Sequence, residues 1–255
     1  EWEEKIIDES RGRAALQITK TMVPSTVHRP VPMDVMRVQV TDGARVGEHQ
    51  FFGLFTAAAY ATPLLETPYV QDKVQGLAQE NHIDLTSHEG RHLIYALSTV
   101  PKDILFQADT TALSQLMAGI LRLRHQHKLH FFVLPDALGH FVSSLVYVPR
   151  DRYTPQLESE MGQMIAACYK GRLVSHEAHI GGDLTFARIH YIISTDAHPQ
   201  HRIVCDVKST EAVLDELSLP WLVKLRSVGS QFKVNTSDGI GIFSDLYQKL
   251  YTPEE

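Results

Sequence analysis

The sequence of 255 residues contains little cysteine and no long hydrophobic run. Its two cysteines, Cys168 and Cys205, lack the close spacing of a zinc site or a redox pair, so we expect reduced thiols and a cytoplasmic protein. No apolar stretch approaches the ~18 residues that a membrane-spanning helix needs. The acidic start at residues 1–4 is the opposite of the basic start of a signal peptide. The sequence therefore predicts no membrane partner.

Excess basic charge is also absent. The chain has 24 lysines and arginines against 30 aspartates and glutamates, a formal net charge of −6, and no basic run. This distribution gives no surface for a phosphate backbone, so we expect no nucleic-acid partner. A hydrophobic content of 44% is enough for a substantial core, in one large or two small domains.

Residues 1–126 predict an α+β module. The stretch 14–20 is strand-like, and alternating residues in 34–41 and 49–56 predict an antiparallel hairpin. Three helical patterns follow. The strongest begins at an Asp109 cap and places on one face Leu113, Leu116, Met117, Ile120 and Leu121. Strands followed by helices indicate antiparallel sheets with helices on one face, not a parallel βαβ fold.

Residues 127–205 predict a second module with the order hairpin, helix, hairpin. The predicted hairpins pair 129–134 with 141–148 and 172–180 with 184–194, and the helix between them ends before Gly171. With a further helix from Ser209, this order predicts the split βαβ layering of the ferredoxin-like fold. Residues 206–255 are interpreted as a helical linker segment, in which Pro220 should kink or divide a helix.

The phrase His88-Glu89-Gly90-Arg91-His92 has the H-E-x-x-H spacing of zinc hydrolases, in which two imidazoles bind the metal and the glutamate is the general base. No third ligand is evident, and a capping box between Thr86 and Glu89 is the competing interpretation. We favour the capping interpretation and predict no metal site.

Two further motifs are weak. The stretch 238–244 imitates the start of a dinucleotide fingerprint, but no βαβ unit follows it. The histidines cluster without a carboxylate or cysteine partner, at His125, His127 and His130 and at His198 and His201. We interpret the histidines as surface residues near helix ends.

Five phrases carry a family resemblance: residues 25–30, 52–60, 101–107, 140–154 and 187–193. They resemble, in this order, the N-terminal region of the large bacterial NAD-specific glutamate dehydrogenases, which contains ACT-like domains. The resemblance implies an ACT-like second module, preceded by a module that is ACT-like or PAS-type. The strand at 129–134 would then hold the edge position that the last strand of an ACT-like domain usually takes.

The resemblance also implies that the chain, which does not begin with methionine, is a non-catalytic piece of an enzyme. The parent would convert L-glutamate, NAD⁺ and water to 2-oxoglutarate, ammonium and NADH, with its catalytic residues and NAD site beyond Glu255. No catalytic residue, cofactor or metal is expected in this piece. Its expected partners are the catalytic domain of the same chain, further copies in a homo-oligomer, and a small amino-acid effector.

The candidate effector residues are Arg150, Asp151, Arg152 and Thr154. A helix N-terminus offers backbone N–H groups and the arginines offer forks for a carboxylate. A local ion pair at a domain junction is the alternative. The roles that remain open for the chain are regulation or assembly in the parent enzyme and stand-alone amino-acid sensing. A zinc hydrolase that uses His88, Glu89 and His92 ranks last.

Overall fold

The computed structural model describes residues 16–27, 30–42, 45–123, 127–136, 138–180, 185–195 and 205–231, together with residues 243, 244, 247, 251 and 253. Within these residues the chain forms two antiparallel sheets with helices, the α+β class that the sequence predicts. Among the described helices, none combines the length and apolarity that crossing a bilayer requires.

The first module contains a three-stranded antiparallel sheet followed by helices. The strands pair in the order β1-β2-β3, and the β2–β3 hairpin keeps an unbroken register from Asp34 opposite Gly53 to Asp42 opposite Arg45. The elements are β1 (Leu16–Pro24), β2 (Pro32–Asp42), β3 (Arg45–Gly53), α1 (Ala57–Ala61), α2 (Pro68–Glu80), α3 (His88–Ser98), α4 (Lys102–Gln107) and α5 (Thr110–Leu123). The predicted hairpin and helices are thus present.

Side-chain caps start three of these helices, at Thr56 for α1, Ser87 for α3 and Asp109 for α5. Asp109 Oδ1 accepts a hydrogen bond from Ala112 N at 2.7 Å, as the sequence predicts for the start of α5. The predicted Thr86–Glu89 capping box is wrong. Ser87 is the cap of α3, because its hydroxyl accepts from Gly90 N at 3.0 Å, whereas Thr86 is bound to Asp84.

The second module contains a four-stranded antiparallel sheet in the order β4-β5-β7-β6. Its elements are β4 (His130–Pro135), β5 (Phe141–Pro149), α6 (Pro155–Cys168), β6 (Arg172–His179), β7 (Phe186–Ser194) and α7 (Val207–Ser218). Strand β7 lies between β5 and β6, which is the split βαβ arrangement of the ferredoxin-like fold. Strand β4 holds the edge beside β5, so the predicted position of the early strand is confirmed.

Helices α6 and α7 close one face of this sheet. Ile165 and Leu214 pack there on Val146, Ile189 and Tyr191, all of them almost fully buried. Helix α7, which the sequence division groups with residues 206–255, therefore packs on the second sheet. The division at 126 and 205 stays a prediction.

The opposite face of the second sheet packs on the helices of the first module. Leu134, Leu145, Tyr147 and Phe186 share one apolar core with α2, α3 and α5. Gly119 of α5 permits this contact, since a Cβ there would lie 2.2 Å from the Phe132 ring of β4. Strand β7 is thus buried on both faces.

In the C-terminal part of the described chain, the prediction for the cysteines is wrong and the prediction for Pro220 is confirmed. The cysteines are not reduced thiols: Cys168 at the end of α6 and Cys205 just before α7 form a disulfide with a Cα–Cα distance of 5.9 Å. The sheet brings them together although 37 residues separate them. Pro220 divides the last helical stretch into α7 and α8 (Trp221–Gln231), as the sequence predicts.

Candidate functional site

A cleft of about 800 Å³ lies between the two modules. It is lined by β1 and β2, by α1, by the turn from α3 to α4, and by β6 and β7 of the second sheet. We name it the intermodule cleft. Its charged and titratable lining residues are Lys20, Asp34, Lys102, Asp103, His176, Glu177, His179, Arg188 and His190. The interface between the modules therefore combines the apolar core on α5 with a polar, open region.

On the first-module wall, one buried lysine lies between two carboxylates. Lys20 Nζ is 2.9 Å from Asp34 Oδ1 and 3.2 Å from Asp103 Oδ2. Burial lowers the pKa of Lys20, but Asp103 and Asp34 raise it by more, and the net pKa is raised. Burial likewise raises the pKa of Asp103, but Lys20 and a hydrogen bond from Tyr60 leave it lowered. Lys20 and Asp103 are consequently charged at neutral pH.

On the second-module wall, β7 contributes two polar side chains with unpaired buried atoms. Arg188 and His190 alternate along β7 with Ile189 and Tyr191, which face α6 instead. Arg188 Nε and His190 Nε2 are buried without a hydrogen-bond partner. Burial lowers the pKa of His190 to about 4, against a smaller opposing effect of Asp103, so its ring is neutral at pH 7.

A hydrogen-bonded network orients a third polar group of this wall. Glu158 of α6 is buried and accepts from the Tyr153 hydroxyl at 2.5 Å. Its other carboxylate oxygen lies 2.6 Å from His176 Nδ1 on β6. A carboxylate bound to Nδ1 fixes the imidazole ring and leaves Nε2 available to a ligand. His176 lines the intermodule cleft, so this network positions a histidine at the cleft's edge.

The predicted effector loop follows β5. Most of its side chains are bound to other groups of the same chain. Arg152 Nη1 is 3.1 Å from Asp215 Oδ1, and its Nη2 donates to the His127 carbonyl. Thr154 caps α6 by accepting from Leu157 N at 3.1 Å. Asp151 lies 3.4 Å from the exposed His127 ring, and the exposed Arg150 contributes its backbone N–H to Thr185 O. These contacts join the loop to α7 and β4; effector binding there stays a prediction.

His88 and His92 lie on the exposed side of α3, with their Nε2 atoms 2.8 Å apart. They border a smaller cavity of about 480 Å³. No group of three or more histidine, cysteine, aspartate or glutamate side chains suited to a metal occurs in the described part of the chain. Gly90 is buried in α3 where a Cβ would lie 2.3 Å from Asp84 O.

The structure describes only some residues of the remaining predicted motifs. His130 is half-buried, and burial lowers its pKa. His127 is exposed beside Asp151, as expected for a surface histidine. Three of the clustered histidines lie outside the described residues: His125, His198 and His201. The stretch 238–244, which imitates a dinucleotide fingerprint, also lies outside them, apart from Phe243 and Ser244.

The described sheets do not fit a nicotinamide dinucleotide. Such cofactors bind in the crevice at the carboxyl ends of parallel strands, with the pyrophosphate at a helix N-terminus. Both sheets of this chain are antiparallel within the described residues. We therefore assign no step of NAD chemistry to these residues.

Two segments match family models of one enzyme. Residues 67–126 match the model described as glutamate dehydrogenase, helical motif 1, and residues 130–222 match glutamate dehydrogenase, ACT2 domain. The chain thus matches the helical motif 1 and ACT2 region of the large NAD-specific glutamate dehydrogenases. The resemblance derived from the sequence is confirmed in this form. The ACT2 match begins at β4 and extends past α7, in agreement with the packing of both elements on the second sheet.

Three curated relatives bear the name NAD-specific glutamate dehydrogenase. The Pseudomonas aeruginosa protein is 28% identical over 216 residues, the Halomonas elongata protein 27% over 208, and the Mycobacterium tuberculosis protein 26% over 231. These alignments cover 81 to 85% of this chain but only 13 to 14% of the relatives' length. The ACT2 and helical motif 1 segments are thus a small part of such proteins.

The sequence reasoning did not identify the intermodule cleft as a site. Lys20, Asp103 and Arg188 are far apart in the sequence, and only the packing of the two sheets brings them to one cavity. One signal was present: the polar residues Arg188 and His190 alternate with apolar ones in β7. Alternation is typical of a strand with a solvent face, but here that face is covered by the first module.

Proposed function

We propose that this chain is a non-catalytic assembly and regulatory region of a large NAD-dependent glutamate dehydrogenase. Two observations together support this proposal: the two family matches and the antiparallel arrangement of both described sheets. The matches name glutamate dehydrogenase, and the described sheets lack the parallel crevice that would hold the cofactor. The parent reaction, oxidation of L-glutamate to 2-oxoglutarate and ammonium with NAD⁺, would then take place elsewhere in a longer, cytoplasmic protein.

The β3 edge of the first sheet supports the assembly role. Strand β3 pairs only with β2 in the described structure, so one row of its backbone groups is open. Phe51 and Phe52 point to opposite faces of this strand and are 60% and 59% exposed. An edge strand with two exposed aromatic rings is typical of an interaction surface. We propose that it packs on the catalytic domain or on a second copy of the enzyme.

Trp221, another large apolar residue that could serve such a surface, already has neighbours in the same chain. Its ring lies against Phe243 and Tyr247, and its Nε1 donates to Tyr251 O at 2.8 Å. We therefore place the assembly surface at Phe51 and Phe52 and not at Trp221.

The test uses the full-length enzyme that carries this region, with Phe51→Ser and Phe52→Ser combined. We expect smaller species in sedimentation velocity, while the circular dichroism of the 255-residue chain with the same changes stays that of wild type. The matched control combines Val213→Ser and Val223→Ser, two exposed positions of α7 and α8. Unchanged sedimentation of the Phe51/Phe52 variant, at several protein concentrations, would contradict the assembly role.

Stand-alone amino-acid sensing is the second candidate function. The ACT2 match supports it, and the loop residues Arg150, Asp151, Arg152 and Thr154 remain its proposed site. The internal contacts of Arg152 and Thr154 favour a structural role for this loop. The zinc hydrolase ranks last, because His88 and His92 lack a third described ligand.

A further inference from the structure

We propose that the intermodule cleft binds a small organic carboxylate, whose carboxylate group is held by Arg188 and His190 of β7. This inference deepens the regulatory part of the proposed function and rests on it for its biological role. The binding itself can be tested without that role.

The β7 wall of the cleft contains two buried nitrogen atoms without hydrogen-bond partners. His190 is only 7% exposed, and its Nε2 has no hydrogen-bond partner. Arg188 Nε is also buried and unpaired. Among the described residues, no carboxylate oxygen lies within 4.0 Å of the Arg188 guanidinium, since the ion pairs of the structure involve other cations. Buried polar groups in proteins nearly always have partners, and the described chain supplies none to these two atoms, so a bound ligand group or an ordered water is their available partner.

The two walls of the cleft differ in how their charges are paired. The carboxylates of Asp34 and Asp103 are already paired with Lys20, which removes that lysine as a partner for an external anion. On the opposite wall, Arg188 makes no ion pair within 4.0 Å among the described residues, and Glu177 of the cleft lining acts on it only at longer range. A guanidinium presents parallel N–H donors in a fork that matches a carboxylate, and the neutral His190 ring can donate one further hydrogen bond. The wall is therefore suited to a carboxylate and not to a metal cation.

The size of the cleft and its remaining lining suit a small organic molecule. A volume of about 800 Å³ falls within the range of roughly 300 to 1,000 Å³ that is typical of small-molecule sites. Apolar side chains of Val31, Pro32, Val100 and Ile192 line the cleft beside the polar groups. His176, oriented by Glu158, lies within the same lining. The combination fits an organic molecule with a carboxylate and a short carbon skeleton.

Calorimetric titration of the whole 255-residue chain tests the proposal, with 2-oxoglutarate, L-glutamate and inorganic phosphate as separate probes. We expect saturable binding of at least one of the two carboxylates. Arg188→Gln should weaken that binding by about 10- to 100-fold, because a charge-assisted hydrogen bond is lost. The control is Arg226→Gln, a change of the same type at an exposed position of α8 outside the cleft lining, which should leave the affinity unchanged.

Nuclear magnetic resonance of the histidine rings gives a second readout that needs no variant. In the wild-type chain at pH 7, the binding carboxylate should shift the ring signals of His190 and His176 and leave that of His127 in place. Binding of neither carboxylate would overturn the proposal. So would phosphate affinity equal to that of the carboxylates, or unchanged carboxylate affinity in Arg188→Gln. Carboxylate binding without any effect on full-length enzyme activity would keep the site and remove only its regulatory role.

Discussion

One face of the second sheet is closed by α6 and α7 of its own module, whereas the other is shared with the first module. The closed face is apolar, with Val146, Ile189 and Tyr191 buried under α6. The shared face is apolar only against α5; at Arg188 and His190 it becomes polar and opens into the intermodule cleft. The same four strands thus serve stability on one side and carry the candidate binding site on the other.

This difference has a physical basis. Helix α6 is joined to β5 and β6 by short connections, and the Cys168–Cys205 disulfide links its end to the start of α7, so the packing of both helices can be close and dry. The two modules meet through long-range contacts, and the interface between them retains charged groups that require partners. An interface of this type can change its geometry when a ligand supplies the missing partner.

The largest effect on the shared face is expected from Lys20→Met. The substitution leaves Asp34 and Asp103 buried without their cation, which typically costs about 3 to 5 kcal/mol of the free energy of unfolding. The matched control, Lys128→Met, removes an ion pair with Glu211 that is 3.6 Å long and half-exposed, and should cost less than about 1 kcal/mol. Urea unfolding of both variants measures the difference. Equal losses would contradict the buried arrangement of Lys20.

On the closed face, loss of the disulfide should have the next largest effect. Cys205→Ser opens a loop defined by a separation of 37 residues, for which chain entropy predicts a loss of about 3 to 4 kcal/mol. Thermal unfolding with and without dithiothreitol measures it. The reductant should lower the Tm of the wild type toward that of the variant and leave the variant unchanged. A wild-type Tm that does not respond to the reductant would show that the thiols are free.

The buried His190 predicts a pH dependence of stability. Its pKa is about 4 in the folded chain and near 6.5 in the unfolded chain, so below pH 6.5 the unfolded state binds the proton and the folded state does not. The free energy of unfolding should therefore fall as the pH drops from 6.5 toward 4, by about 3 kcal/mol in total. Above pH 6.5 this group contributes no pH dependence.

His190→Gln is the control for that prediction, since glutamine does not titrate. Urea unfolding at about pH 7 and pH 4.5 should show a larger loss of stability in the wild type than in the variant. The charged groups that face the ring, Asp103, Arg188 and Lys20, are the same in both proteins. Identical losses would mean that His190 is accessible to protons in the folded state, and the shared face would then resemble an ordinary solvent face.

The smallest effect belongs to the start of α6. Thr154→Ala removes the hydroxyl that accepts from Leu157 N and should cost about 1 kcal/mol, while Thr154→Ser should keep the cap and most of the stability. Urea unfolding in the absence of any ligand measures both. If Thr154→Ala has no effect on stability, the structural interpretation of the loop fails, and the effector role of Arg150–Thr154 regains support.

The pattern of apolar residues predicted the local structure of both sheets. Alternation identified the hairpins, the spacing of Leu157, Met161 and Ile165 identified α6, and Pro220 marked the division between α7 and α8. These features depend on neighbours within one turn or one hairpin, which a single sequence contains. The hairpin-helix-hairpin sequence and the family resemblance predicted the ferredoxin-like layering and the edge position of β4, whereas the full order β4-β5-β7-β6 came from the structure.

The features that sequence reasoning missed depend on distant contacts. The Cys168–Cys205 disulfide forms because α6 and the start of α7 lie on the same face of the sheet, which residue spacing does not reveal. The choice of Ser87 over Thr86 as a helix cap turned on a one-residue shift between adjacent hydroxyls. The intermodule cleft requires the packing of β7 on the first module, and the polar positions of β7 alone indicate a solvent face.

The central claim is that this region contributes assembly and regulation to a reaction performed elsewhere. The most direct test measures NADH formation from L-glutamate and NAD⁺ by the purified 255-residue chain and, in parallel, by the full-length enzyme that carries it. We expect a glutamate-dependent rate from the full-length enzyme, and from the isolated chain no rate above that of buffer. A glutamate-dependent rate that increases in proportion to the concentration of the isolated chain would contradict the account.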